Sequence, residues 1–88
     1  MIETPENRLK RLKMRSWRRG MKEMDIILGP YADAEIANMS AEALELYEAL
    51  LDENDQDLYV WMSGRAAIPS EHLKIATIIR DFHQISDK

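Results

Sequence analysis

Cysteine is absent from this 88-residue chain, and glycine and proline occur only three times each. Without thiols, neither a disulfide nor a thiolate metal site can hold the fold together, which suits a reducing compartment. Long apolar runs are also missing. No stretch approaches the roughly eighteen residues needed to span a bilayer. The opening "MIETPENRLKRLKMRSW" lacks the apolar centre of a secretory signal. Two early glutamates, and no serine before Ser16, speak against a transit peptide. The expectation is a soluble chain of the bacterial cytoplasm, folded as a single domain over residues 1–88 with one modest core.

Catalytic signatures are equally scarce. His72 and His83 are the only histidines. Eleven residues apart on one predicted helix, they stand roughly 16 Å from each other and cannot share a metal. Each reads as a surface or boundary side chain. No serine sits in a nucleophile-elbow context, and no glycine-rich loop could cradle a phosphate. The acid pairs Asp52/Glu53 and Asp55/Asp57 fall at predicted helix ends, where capping is their default role. Neither a catalytic nor a metal-binding residue is nominated, and an enzyme is not expected.

What the chain has is charge, unevenly placed. Residues 1–25 hold eight of the twelve Lys/Arg and four acids, whereas residues 26–88 hold four bases and twelve acids. Such polarity marks either a basic contact surface or a solvated helix face. The eight bases between residues 8 and 22, with Trp17 among them, could line a phosphate backbone. The acidic remainder would be repelled by a polyanion. A small nucleic-acid-binding or regulatory adaptor is therefore the alternative reading.

The apolar periodicity is helical throughout, with no strict alternation of the kind a half-buried strand shows. Pro5 suits a first helical turn, and a first helix should end near Arg18 or Arg19. Met14, Trp17, Met21, Met24 and Leu28 recur at spacings of three and four, an apolar stripe assigned to packing. A second helix should begin near Met21, leaving Gly20 at the junction, and meet a break or kink at Gly29-Pro30. Ser40 reads as the N-cap of "AEALELYEALLDEN", with Leu44, Tyr47 and Leu50/Leu51 inward. Asp55 reads as the cap of a short fourth helix whose inward face is Leu58, Trp61 and Met62, closed by Gly64. Ser70 reads as the cap of a last helix aligning Ile75, Ile78, Phe82 and Ile85. The expected fold is all-α, a compact bundle of about five short helices.

One stretch stands apart. In "RSWRRGMKEMDIIL", residues 15–28, the run Arg19-Gly20-Met21-Lys22-Glu23 spells RGxxE. With Arg15, Ser16 and Arg18 before it and Asp25 and Leu28 after it, the segment resembles the signature of the succinate dehydrogenase flavinylation factors, the SdhE type and its mitochondrial counterparts. Downstream, "LLDENDQDLYVWMSGRAAIP" is similar to the second segment of that family, an acidic D-x-D-L-x-x-W run leading to a proline and a final helix. The likeness covers roughly Leu9 to Phe82, with Tyr31 where phenylalanine is common and Gly29-Pro30 as a stronger bend. It implies a non-catalytic assembly factor of respiratory complex II. Such a factor binds the immature flavoprotein subunit of succinate dehydrogenase, or of fumarate reductase, and promotes covalent attachment of FAD to a histidine of that subunit. It implies a partner-binding surface at Arg19, Gly20 and Glu23, with Arg15, Arg18 and Asp25 beside them. It implies no bound cofactor, because the FAD is attached to the partner. Arg19 and Glu23 are expected to be exposed, either facing that partner or forming a weak i,i+4 ion pair.

Overall fold

The computed structural model describes residues 3–84. Five α-helices follow in order: α1 Pro5–Trp17, α2 Lys22–Glu35, α3 Ala41–Leu51, α4 Asp55–Met62 and α5 Ser70–Phe82. A single 3-10 turn, Ile36–Asn38, extends α2, and no strand occurs among the described residues. None of these helices is long and apolar enough to cross a membrane.

Local chemistry explains most of the boundaries. Thr4 caps α1 by accepting from the Asn7 amide, and Pro5 occupies the first helical position, where its missing N–H is no loss. Ser40 accepts from the Ala43 amide and starts α3. Gly64 follows α4 with φ 78°, the left-handed conformation that glycine adopts without strain. Two expected caps differ. Asn54, not Asp55, caps α4 by accepting from the Asp57 amide, and Asp55 becomes the first helical residue. Pro69 precedes α5 without a side-chain cap, and Ser70 lies inside the helix.

The helices close over one apolar core. Leu12 comes from α1, Met24, Leu28, Tyr31 and Ala32 from α2, Tyr47, Leu50 and Leu51 from α3, Leu58 and Met62 from α4, and Ile75, Ala76 and Ile79 from α5. One polar pair is sealed within it. The Ser16 hydroxyl lies 2.8 Å from the Leu12 carbonyl and 2.6 Å from the Tyr47 hydroxyl, where either hydroxyl can donate. Burial, opposed by the Ser16 contact, pushes the Tyr47 phenol up to about 12.

Of the break or kink expected at Gly29-Pro30, the break does not occur, because tertiary contacts override the local signal. Helix α2 runs through Pro30. His83 at the end of α5 donates its Nε2 hydrogen to the Ile27 carbonyl at 2.6 Å, one turn before the proline. Gly29 serves packing instead. The Trp17 ring lies against its backbone so closely that an added Cβ would come within 2.4 Å of ring carbons. Trp17 Nε1 also donates to Asp33 at 3.1 Å.

Other expected inward faces hold only in part. Met24 and Leu28 are buried, but Met14 is 53% and Trp17 42% exposed, so the stripe leaves the core at its N-terminal end. On α5 Ile75 is buried as expected, together with His72, Ala76 and Ile79; Ile78 is exposed, and Phe82, although 39% exposed, packs edge-on against Tyr31 at 5.4 Å. Ile85 lies outside the described residues. His72 is no surface residue: it is buried, its ring packs on Trp61, and its Nε2 meets the Glu53 carboxylate at 2.6 Å.

Candidate partner-binding surface at the α1–α2 junction

Between α1 and α2 the chain turns over four residues, Arg18 to Met21. Their backbone amides must find acceptors, since the ends of both helices leave such groups unsatisfied. The Arg18 amide still bonds back to the Met14 carbonyl. The Arg19 amide donates to Asp25 Oδ1 at 2.7 Å. The Gly20 and Met21 amides both donate to Asp55 Oδ2, at 2.7 and 3.1 Å. Met21 is the N-cap of α2 and has no capping side chain. Asp55, brought from the start of α4, supplies the missing negative group near the positive end of α2.

The same carboxylate holds Arg19. Its Nε donates to Asp55 Oδ1 at 2.7 Å, and its two terminal nitrogens donate to the carbonyls of Leu51 and Glu53 at 2.8 and 2.7 Å. The Arg19 side chain is only 10% exposed. This corrects the expectation of an exposed Arg19. The guanidinium points inward, pairs with Asp55 and not with Glu23, and ties the turn to the loop between α3 and α4. Arg15 reaches that loop too, donating to the Leu51 carbonyl at 3.0 Å and to Asp52 at 2.8 Å.

The remaining motif residues face outward. Arg18, Gly20, Lys22 and Glu23 are exposed. A shallow cleft of about 350 Å³ opens beside them, lined by Arg15, Arg18, Arg19, Gly20, Asn54 and Asp55. Gly20 has no left-handed φ, and a Cβ built on it would lie 3.4 Å from Asp55 Oδ2, an ordinary contact. Among the described residues, nothing requires glycine there.

Four of the eight bases of the basic segment pair with the protein's own acids. Arg8 pairs with Glu48, Arg11 with both Glu3 and Glu48, Arg15 with Asp52 and Arg19 with Asp55, at 2.7 to 3.2 Å. Arg11 holds Glu48 and Glu3 below the usual carboxylate range by hydrogen bonding. A polyanion would have to displace these partners, which weakens the nucleic-acid reading. Among the described residues, no cluster of three His, Cys, Asp or Glu is placed to hold a metal ion.

Of the six residues grouped from sequence, Arg15, Arg18, Arg19 and Gly20 line the cleft, Asp25 accepts from the Arg19 amide, and Glu23 lies exposed in the first turn of α2. Sequence reasoning missed Asp55 and the Leu51 and Glu53 carbonyls. The available signal was charge: an acidic run at residues 52–57 facing an arginine cluster of opposite sign.

Similarity to known proteins covers this junction and the loop that grips it. Residues 10–85 match the Sdh5 family, described as the flavinator of succinate dehydrogenase. The chain is 34% identical over 76 residues to the FAD assembly factor SdhE of Legionella pneumophila (strain Lens), covering 86% of this chain and 96% of that protein. It is 45% identical over 56 residues to the mitochondrial succinate dehydrogenase assembly factor 2 of Aspergillus terreus, covering 64% of this chain and 19% of the relative. Against the factor of the same name in Schizosaccharomyces pombe it is 38% identical over 69 residues, 78% of this chain and 50% of the relative. The chain thus spans half or less of these fungal relatives and nearly all of the Legionella protein. The family match touches all five helices and takes in both the turn and its acidic clamp; this chain belongs to the flavinator of succinate dehydrogenase family.

Proposed function

We infer that this protein is an assembly factor that binds the immature flavoprotein subunit of succinate dehydrogenase and promotes covalent attachment of FAD to a histidine of that subunit. Family membership supports the class of function, as do the names of the relatives, which include an FAD assembly factor and succinate dehydrogenase assembly factors. The observation that carries the site is Gly20. It stands exposed in a clamped turn, in a conformation open to other residues and with room for a side chain. A glycine that its own fold does not need leaves bare backbone for a partner to approach closely.

Gly20, Glu23, Arg18 and Arg15 form the proposed contact surface, while Arg19 and Asp25 shape it from behind. The factor acts by positioning. Holding histidine, flavin and dicarboxylate-binding groups of the partner in register lowers the barrier without a catalytic group of its own. FAD is the partner's substrate and not a resident cofactor here. The fumarate reductase flavoprotein is a second proposed target, the proposed active form is a monomer, and the proposed site of action is the bacterial cytoplasm. The cysteine-free composition and the likeness to a bacterial factor support that last assignment.

Size-exclusion chromatography of this protein with the purified apo-flavoprotein subunit tests the reading. The expected result is co-elution as a one-to-one complex, followed on addition of FAD and a dicarboxylate by flavin that survives denaturation. Separate elution, together with retention of duplex DNA at low salt, would favour the nucleic-acid alternative.

A further inference from the structure

We propose that Asp55, which lies outside the RGxxE run, is a positioning residue: it locks the Arg18–Met21 turn into the shape that the partner reads. The inference rests on the function proposed above. Three donors converge on this one carboxylate, the Arg19 Nε on Oδ1 and the Gly20 and Met21 amides on Oδ2, at 2.7, 2.7 and 3.1 Å. Successive backbone amides facing a common point form an anion-binding concavity, and here the chain's own carboxylate fills it. The contacts span 34 to 36 positions, so the turn is held by the start of α4 and not by its neighbours in sequence.

Asp55 is only partly buried, and its Oδ2 would stand at 3.4 Å from a Cβ on Gly20, so it lies directly behind the exposed glycine. With the two flanking carbonyl contacts of Arg19, to Leu51 and Glu53, Asp55 fixes the guanidinium in three directions. Asp55 therefore cannot shift without releasing the Gly20 and Met21 amides and the Arg19 Nε together. The exposed groups of the turn belong to no helix of their own, and freed from Asp55 they would sample many arrangements. A partner would then meet the competent one only part of the time, and the apparent Kd would equal the intrinsic Kd divided by that fraction.

Two measurements test this. In the wild-type protein alone, hydrogen exchange should show the Gly20 and Met21 amides protected at least tenfold over unstructured peptide, although Gly20 is exposed to solvent. Exchange at the unstructured rate would overturn the proposal without any variant. In Asp55→Asn, compared under conditions where circular dichroism shows it folded, apparent Kd for the apo-flavoprotein subunit should rise at least tenfold. The rate of FAD attachment at saturating factor should stay within about twofold of wild type. Ile79→Val, a mild core destabilisation remote from the turn, should leave Kd unchanged, which separates positioning from a general loss of stability. An Asp55→Asn protein that binds as tightly as wild type overturns this inference alone. Failure of the wild-type protein to bind the apo subunit overturns the proposed function and this inference with it.

Discussion

An alanine at position 20 separates the fold's needs from the partner's. Its methyl would meet Asp55 Oδ2 at an ordinary 3.4 Å, and no left-handed φ opposes it. Gly20→Ala should therefore leave stability unchanged or raise it by up to about 1 kcal/mol through the unfolded chain. Thermal unfolding would show this, alongside reduced support for flavinylation. Arg19 behaves oppositely. Its removal strips charged hydrogen bonds from Asp55 and from two carbonyls, so Arg19→Ala should cost about 2–3 kcal/mol. For a domain of this size that lowers Tm by roughly 8–24 °C. Arg19→Lys should restore only part of the loss, because an ammonium cannot serve three divergent acceptors as the planar fork does. A Tm within about 2 °C of wild type for Arg19→Ala would contradict the inward-facing geometry. RGxxE was legible as a unit in sequence, but the division of labour within it was not. Arg19 shapes the turn, and Gly20 and Glu23 are presented by it.

Helix α2 and its neighbour α1 show where local signals stop. Ser40 and Gly64 act as read because each needs only its own neighbours in the chain. Asp55 was assigned to its own helix because nothing local points to amides 34 and 35 positions away. Gly29-Pro30 reads locally as a break or kink, yet α2 continues through it, where His83 engages the Ile27 carbonyl and Trp17 fills the space over Gly29. These two contacts give a double-mutant test. Gly29→Ala alone should destabilise, since the methyl would drive into the Trp17 ring at 2.4 Å. In a Trp17→Ala background the clash is gone, and the same change should stabilise α2 by about 1 kcal/mol through helix propensity. Denaturant unfolding of the four proteins measures the cycle. Equal effects of Gly29→Ala in both backgrounds would show that Trp17 does not lie where the structure puts it.

Across the whole molecule, the five-helix class followed from periodicity, because apolar spacing reports which face is inward even where caps are misread. The buried Ser16–Tyr47 pair was invisible to that pattern and gives the core a pH limit. The Tyr47 phenol is raised from 10.0 to about 12, so the unfolded chain ionises first. Its contribution is fully present below pH 10 and is lost as pH rises toward 12, at about 1.4 kcal/mol per unit. Tyr47→Phe should be less stable at pH 8, yet should lose less between pH 10 and 12 than wild type, as urea unfolding at each pH would show. The surface divides differently: most arginines of the basic segment bind the chain's own acids, and one short turn is left to face outward. That this turn drives covalent flavinylation is the central claim. The direct measurement is in-gel flavin fluorescence of the succinate dehydrogenase flavoprotein subunit in a bacterial strain lacking its own factor and supplied with this protein. Wild type should restore the fluorescent band, while Gly20→Ala and Glu23→Ala, both folded by circular dichroism, should each restore less than about a tenth of it. A full-strength band with both variants would contradict the claim.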